Sequence, residues 1–259
     1  MGLLIGVVGA AGKMGRTLLT CSLGDAGVKV AGGCTSAGSP HVGRDLGELI
    51  GAEAFGLKLQ PSIEEIVEKA QVLIDFSLPD STLKNARIAA KHKKPLVIGS
   101  TGHTREAKLE IESLAKEIPL LFSPNFSLGI ALCLEACALF GRHLKESAYV
   151  DIIETHHTQK RDSPSGTALA LAASLGFGQI STENTQPRSR DTVQIHSIRS
   201  GAVPGKHSVI FECQGERLEI THEVHSREAF AKGAIRAAKF LAGRPPGLYS
   251  LKDLILQPD

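Results

Sequence analysis

The chain contains no tryptophan, and Phe, Trp and Tyr together make up only 4% of its 259 residues. Proteins that bind single-stranded nucleic acid stack bases on aromatic side chains, so that class loses its main tool. Charge does not replace it: 29 Lys and Arg against 27 Asp and Glu leave a net +2, far short of the basic excess that a phosphate backbone attracts. No apolar run approaches the ~20 residues of a membrane span. The opening MGLLIGVVGAAG lacks the basic flank of a signal peptide, and Gly6 stands where a myristoylation pattern needs Ser or Thr. The expectation is a soluble, cytoplasmic protein without nucleic-acid or membrane partners. Cysteine is sparse too: Cys21, Cys34, Cys133, Cys137 and Cys213 make no CxxC pair and no zinc spacing. Cys133 and Cys137 lie one helical turn apart in an apolar run, the spacing of a single buried face. Core thiols in a reducing compartment are expected.

What is present is an ordinary globular balance, 42% hydrophobic and 22% charged, long enough for one large domain or two smaller ones. The first half alternates strands with helices. LLIGVV (3–8) is an unbroken apolar run, the pattern of a strand buried on both faces of a parallel sheet. A helix from about Met14 to Leu23 and a strand VKVAGGC (28–34) follow. Ser62 and Glu65 form a capping-box pattern that predicts a short helix. Strands VLIDFS (72–77), LVIGST (96–101) and LLFSPN (120–125) then alternate with helices from about Asp80 to Lys91 and Arg105 to Glu117. This βαβ rhythm predicts an α/β fold, a Rossmann-type doubly wound parallel sheet.

The second half reads differently. A long apolar helix, about Leu128 to Leu144, leads to strand YVDIIET (149–155) and later to a helix TALALAASL (167–175). Strands near TVQIHSIRS, HSVIFECQG and RLEITHEVH are joined by short turns, which predicts a second α+β domain with a mixed or antiparallel sheet. The final helix, about Arg227 to Leu241, is expected to return to the first domain.

Chemistry concentrates in a few loops. GAAGKMG places Gly9, Gly12 and Gly15 between the first strand and its helix, where bare amides can approach a pyrophosphate at the helix N-terminus. The acid that usually holds an adenosine ribose should fall ~20 residues on, yet Thr35 and Ser36 stand there. These neutral hydroxyls can donate to a 2′-phosphate, Lys13 stands in the glycine loop and Arg44 is close in sequence, so NADPH is expected to serve at least as well as NADH. Two further loops, GSTG (99–102) and SPNFS (123–127), follow strands on the same sheet edge, where ligands of such sheets bind. The segment ETHHTQKRDSPSGTA (154–168) is the most concentrated. Ser165, Gly166 and Thr167 open a helix and can hold a carboxylate; Lys160 can pair with it or give a proton; His156 and His157 titrate near neutrality. Of the basic residues Lys160, Arg161, Arg199, Lys206 and His207, only some are expected to face a site. Adjacent histidines on an extended chain point to opposite sides, and neither HExxH nor a Cys partner exists, so no metal is expected. No GxSxG elbow precedes Ser165, which argues against a nucleophile.

Three features together resemble the dihydrodipicolinate reductase family of lysine and diaminopimelate biosynthesis. They are the GxxGxxG start, the E-x-H-H-x-x-K-x-D-x-P-S-G-T-A loop from Glu154 to Ala168, and R-x-G-x-x-x-G-x-H at Arg199, Gly201, Gly205 and His207. The resemblance spans essentially the whole chain. It implies NAD(P)H-dependent reduction of 4-hydroxy-2,3,4,5-tetrahydrodipicolinate, a small dicarboxylate, to 2,3,4,5-tetrahydrodipicolinate with loss of water, in a homotetramer. It also implies roles: His156 as proton donor and acceptor, Lys160 as proton donor, and His157, Gly166 and Thr167 as substrate contacts. Gly9, Ala10, Ala11, Gly12, Lys13 and Met14, then Gly99, Ser100 and Thr101, then Ser123, Pro124, Asn125 and Phe126, match the family's cofactor contacts. Residues 1–126 with 228–259 would form the dinucleotide-binding domain, and 127–227 the substrate-binding and oligomerisation domain. Thr35-Ser36 departs from a pair that is often acidic–basic, and Leu78 stands where some members carry Arg. The rivals are another two-domain Rossmann dehydrogenase of homoserine type, acting on a linear acid, and a non-catalytic dinucleotide sensor on the same fold.

Overall fold

Short apolar strands buried on both faces need cover from helices on both sides, and the first part of the chain supplies it. The computed structural model describes residues 2–183 and 188–256; the last three positions of the expected 228–259 segment lie outside these. Two compact units are present, one formed by residues up to Phe126 together with Glu228 onward, the other by Ser127–Arg227.

In the first unit β1 (Leu3–Val8), β2 (Val28–Cys34), β3 (Val72–Asp75), β4 (Leu96–Ile98) and β5 (Pro119–Phe122) run parallel. A sixth strand, β11 (Gly247–Tyr249), adds to β5, giving the order β11-β5-β4-β3-β1-β2. The chain steps to one side of β1 with β2 and to the other with β3. That reversal opens a crevice at the carboxyl end of β1, the usual ligand position in such sheets. Helices α1 (Lys13–Leu23), α2 (Pro79–Lys91) and α3 (Arg105–Ser113) link these strands, and α6 (Glu228–Leu241) packs on α1, β3 and β4. Val7, Leu73, Ile74, Leu96, Ile98 and Leu120 are fully enclosed. At ~25 cal/mol per Å² of apolar surface removed from water, each such side chain contributes about 1.5–3 kcal/mol.

The second unit packs α4 (Leu128–Leu144) and α5 (Gly166–Ser174) on one face of a five-stranded sheet. Its strands are β6 (Tyr149–His156), β7 (Gln179–Ser181), β8 (Thr192–Arg199), β9 (Gly205–Cys213) and β10 (Glu216–Val224), in the order β10-β9-β6-β8-β7. The sheet is mixed: β6 pairs parallel with β8 and antiparallel with β9. Val150, Ile152, Val193, Ile195, Val209 and Phe211 meet Cys137, Leu171 and Ala172 in the core. Both α4 and α5 begin with a serine whose hydroxyl accepts the third amide of the helix, Ser127 from Ile130 and Ser165 from Ala168.

Some local expectations need correction. The Ser62–Glu65 pattern opens only a single 3-10 turn, Ile63–Glu65, and Ser62 makes no side-chain cap bond there. Ile63 is buried in the core, and the chain continues from Ile66 to Lys69 in turns and not as a helix. The helix expected to reach Glu117 stops at Ser113 and tightens into a 3-10 turn through Lys116. The ends of VLIDFS, LVIGST and LLFSPN leave the sheet early, and those loop residues gather at its carboxyl edge. Strands β7 and β11 and helix α7 (Leu251–Leu256), which lack a periodic signal long enough to read, complete the fold. Cys21, Cys34 and Cys137 are buried free thiols, and burial pushes Cys34 and Cys137 up to about 12.

Candidate active site

In the first unit the glycine loop makes a cradle of bare backbone. Gly9 sits at φ +82°, and a Cβ there would lie 2.9 Å from the Phe76 carbonyl. A Cβ at Gly15 would lie 2.2 Å from the Gly9 oxygen, so only glycine lets α1 close against the loop. The amides of Gly9 and Ala10 both donate to the Cys34 carbonyl at 2.9 Å, which ties the loop to the end of β2. A cavity of about 530 Å³ opens beside it, lined by Gly9, Gly12, Thr35, Ser36, Phe76 and Leu78 among others. Its rim carries Lys84, Glu64 and Asp80.

The remaining expected cofactor residues do not line this cavity. Ala10 is fully buried, Ala11 and Met14 are half-buried, and Lys13 is exposed on the first turn of α1. Gly99, Ser100 and Thr101 follow β4, and Ser123, Pro124, Asn125 and Phe126 follow β5. Backbone bonds from Gly99 to Asp75 and from Ser123 to Ile98 run these loops side by side along the same sheet edge. Phe126 is buried edge-on against Phe76, and its carbonyl packs against Gly233. At this edge Asp75 is fully buried and accepts from the Ser77 amide (2.7 Å) and the Asn85 side chain (3.0 Å). Burial pushes its carboxyl above the ordinary range, against the pull of those neutral donors.

The second unit holds a side-chain cluster instead. Alternation along β6 puts Val150, Ile152, Glu154 and His156 on the buried face, so Glu154 and His156 stand side by side. His156 Nδ1 is hydrogen-bonded to Glu154 Oε2. The other carboxylate oxygen accepts from Arg199 Nη2 at 2.9 Å and from the Ser165 amide at 3.3 Å. Burial alone would raise Glu154, but Arg199, Ser197 and His156 outweigh it and hold the carboxyl below its usual range. Burial lowers His156, with Glu154 opposing and Lys160 and Arg199 adding to the drop. His207 of β9 packs edge-on to His156, with ring centroids 5.0 Å apart. Its Nε2 lies 3.0 Å from Ser165 Oγ, and burial pushes it down to about 4.

Lys160 binds both oxygens of Asp162 at 2.8 Å, and the Gly166 amide also favours the ionised Asp162. Asp162 thus sits where a ligand carboxylate was expected, between Lys160 and the start of α5. A Cβ at Gly166 would meet nothing within 4 Å, so the space beside this helix start is open. His157 and Thr167 are half-buried on either side of the loop. Of the other basic residues, Arg199 and His207 join the cluster, Arg161 is exposed, and Lys206 lies 3.7 Å from Glu223.

Glu154, His156 and His207 bring ligand-type atoms within 4.8 Å of one another, a grouping that sequence spacing does not reveal. Arg199 places a fixed positive charge on the same carboxylate. That charge opposes a cation and makes the group a hydrogen-bonded proton cluster. Glu154 itself was missed, although period-2 alternation with His156 was the available signal. Asp162 was missed because nothing local marks it as the partner of Lys160.

Residues 3–126 match the pattern described as Dihydrodipicolinate reductase, N-terminus, and residues 129–255 the one described as its C-terminus. A 4-hydroxy-tetrahydrodipicolinate reductase from Pseudomonas fluorescens (strain SBW25) is 43% identical over 97% of this chain and 98% of its own. A protein of the same name from Rubrobacter xylanophilus is 40% identical over 96% of each. Among solved structures, dipicolinate-bound dihydrodipicolinate reductase from Paenisporosarcina sp. TG-14 shares the fold with a TM-score of 0.78, at 22% identity over 98% of this chain and 99% of that one. An amine dehydrogenase from Mycobacterium smegmatis shares it at a TM-score of 0.62 and 14% identity, over 97% of this chain and 96% of its own.

Proposed function

The chain belongs to the dihydrodipicolinate reductase family, and from that premise we propose that it reduces 4-hydroxy-tetrahydrodipicolinate to tetrahydrodipicolinate, with loss of water, in lysine and diaminopimelate biosynthesis. One hydride and one proton are consumed and one water leaves. A reduced nicotinamide dinucleotide, NADPH or NADH, supplies the hydride.

The bare glycine cradle and its adjoining cavity fit such a dinucleotide: Gly9 and Gly12 would admit a pyrophosphate, with Ala10, Ala11, Lys13 and Met14 around them. Thr35, Ser36 and Lys84 would face the adenosine side, and the loops Gly99–Thr101 and Ser123–Phe126 would hold the rest. In the second unit, His156 exchanges the proton. Lys160, His157 and the Gly166–Thr167 helix start neutralise the two carboxylates of the substrate. Ligand carboxylate displaces Asp162 from Lys160; such a partly exposed pair is worth only about 0–1 kcal/mol, so the exchange is cheap. The observation that carries the reading is the Glu154–His156 pair set beside Lys160 and the capped start of α5.

The protein works in the cytoplasm as a homotetramer. The sheet face of the second unit away from α4 and α5 carries Tyr149, Ile153 and the 46% exposed Ile198, and it is a natural surface for association. Sedimentation tests the tetramer. NAD(P)H absorbance recorded with freshly generated hydroxytetrahydrodipicolinate tests the activity. Binding of the dinucleotide without turnover would mark a sensor, and turnover only of a linear hydroxy acid would mark a homoserine-type enzyme.

A further inference from the structure

Three elements of the second unit meet at one carboxylate. Glu154 Oε2 meets His156 Nδ1 at the end of β6, and Oε1 meets both Arg199 of β8 and the first amide before α5. Arg199 is held in turn by the carbonyls of Ile198 (2.8 Å) and Asp162 (2.7 Å). We propose that Glu154 is a positioning residue for the reaction: clamped by Arg199 and the Ser165 amide, it holds His156 with Nδ1–H directed inward, leaving Nε2 as the nitrogen that exchanges the proton. The proposal rests on the reading above only in taking His156 as the proton carrier.

An ionised carboxylate can only accept hydrogen bonds, so its partner Nδ1 must carry the hydrogen. The neutral ring then presents Nε2 as its basic atom. Nε2 faces Gly205, where a Cβ would come to 3.1 Å; the glycine at that strand start keeps the nitrogen uncovered. Because the same carboxylate accepts from Ser165, the ring and the helix start are fixed relative to each other. A small reorientation of either would misplace the proton against a bound carboxylate, and such misplacement is costly in rate. The charged and titratable groups around His156 are Glu154 on its own strand, Arg199 on β8, His207 on β9, and Lys160 with Asp162 in the loop. Of these, Glu154 pulls the ring toward its charged form, while Lys160 and Arg199 oppose it.

The test has two independent arms. Nitrogen-15 NMR of labelled histidine in the wild-type protein, with His156→Gln used to assign the signal, should report the Nδ1–H tautomer near neutral pH. Glu154→Gln should then lower kcat on the order of 100-fold while substrate KM stays within about threefold. Dinucleotide affinity should not change. The limb of the kcat profile that reports His156 should move to lower pH by about one unit. Glu154→Asp should regain part of kcat and return the limb toward wild type, a rescue that a filler of space would not give. An Nε2–H tautomer in the wild type, or an unmoved limb with near-normal kcat in Glu154→Gln, overturns the proposal. Should Glu154→Gln not fold, the wild-type tautomer and the Glu154→Asp profile still decide. Wild-type protein that turns over no hydroxytetrahydrodipicolinate would defeat the functional reading instead, and the tautomer would remain measurable.

Discussion

Asp75 and Glu154 are both carboxylates without solvent exposure, each near the end of a parallel strand, one in each unit. Asp75 has neutral partners, the Ser77 amide and the Asn85 side chain, and burial pushes it up. Glu154 has Arg199 and His156, and it is held down in spite of burial. Both side chains are shut off from solvent, but Asp75 lies deeper in the protein: its heavier desolvation and neutral partners push one way, and the charges beside Glu154 push the other. Around Asp75 the neutral donors do not make up for the lost water, whereas the guanidinium beside Glu154 adds a full opposite charge. The first unit keeps formal charge out of its cradle and offers backbone; the second keeps charge in, balanced.

The largest effect expected from breaking this contrast comes from Arg199→Met. It strands Glu154 as a buried unpaired charge, and we expect a loss of about 3–5 kcal/mol in urea unfolding at pH 7.5. Adding Glu154→Gln to it should recover much of the loss, since the stranded charge disappears. The same neutralisation at Asp75 should behave differently. Its raised folded-state pKa means that its stabilising contribution is full below the ordinary Asp range and lost as pH rises through the folded value. Once ionised, the carboxylate is therefore a burden. Asp75→Asn, with the Asn85 amide flipped to accept, should stay within about 1 kcal/mol of wild type. A loss as large as that of Arg199→Met would erase the distinction between the two carboxylates.

That distinction was only partly legible in the sequence. Apolar runs such as LLIGVV and the GxxGxxG loop carry the first sheet and its cradle because both signals are local, one a burial pattern and the other a backbone requirement. The ETHHTQKRDSPSGTA loop announces its histidines, lysine and helix cap for the same reason. The pairing of Glu154 with Arg199 and His207 is not local. It depends on His156 standing opposite Arg199 in one ladder and Glu154 opposite His207 in another. Register across 40 or more residues is set by the whole sheet, so composition and spacing cannot supply it. The capping-box pattern at Ser62 teaches the converse: a local signal stands there without the helix it usually opens.

His207 sharpens the comparison with pH as the variable. Its folded pKa of about 4 lies below the ordinary imidazole range. A depressed value means that its contribution is full above the unfolded pKa and lost as pH falls toward the folded one. Between about pH 6.5 and 4 the unfolding equilibrium should therefore shift by up to about tenfold per pH unit. His207→Gln, which keeps an acceptor for Ser165, should flatten that stretch in a series of urea midpoints. An unchanged slope would place the acid sensitivity elsewhere.

For the first unit a smaller test concerns cofactor charge. Lys84 lines the cavity and Lys13 does not. Lys84→Ala should weaken NADPH on the order of tenfold with little effect on NADH, while Lys13→Ala should change either by about threefold or less. A selective NADPH loss in Lys13→Ala would instead restore the glycine-loop lysine as the phosphate partner.

The smallest effect is expected at Asp162, a third kind of carboxylate, half exposed and paired with Lys160 through both oxygens. Burial raises it, and Lys160 together with backbone donors more than compensates, so it is ionised at neutral pH. Unlike Glu154 it is not locked in place, because water can replace either partner. If it occupies the position of a substrate carboxylate, Asp162→Asn should weaken the competition for Lys160. Substrate KM and the Kd of pyridine-2,6-dicarboxylate should then fall together, by about two- to fivefold, the scale of a pair worth up to about 1 kcal/mol. The change should shrink at high salt, since a partly exposed pair is screened. Stability should hardly move, in contrast to Arg199→Met. A rise in both constants would mean that Asp162 instead holds Lys160 ready for the ligand, and the parallel with a displaced carboxylate would have to be abandoned.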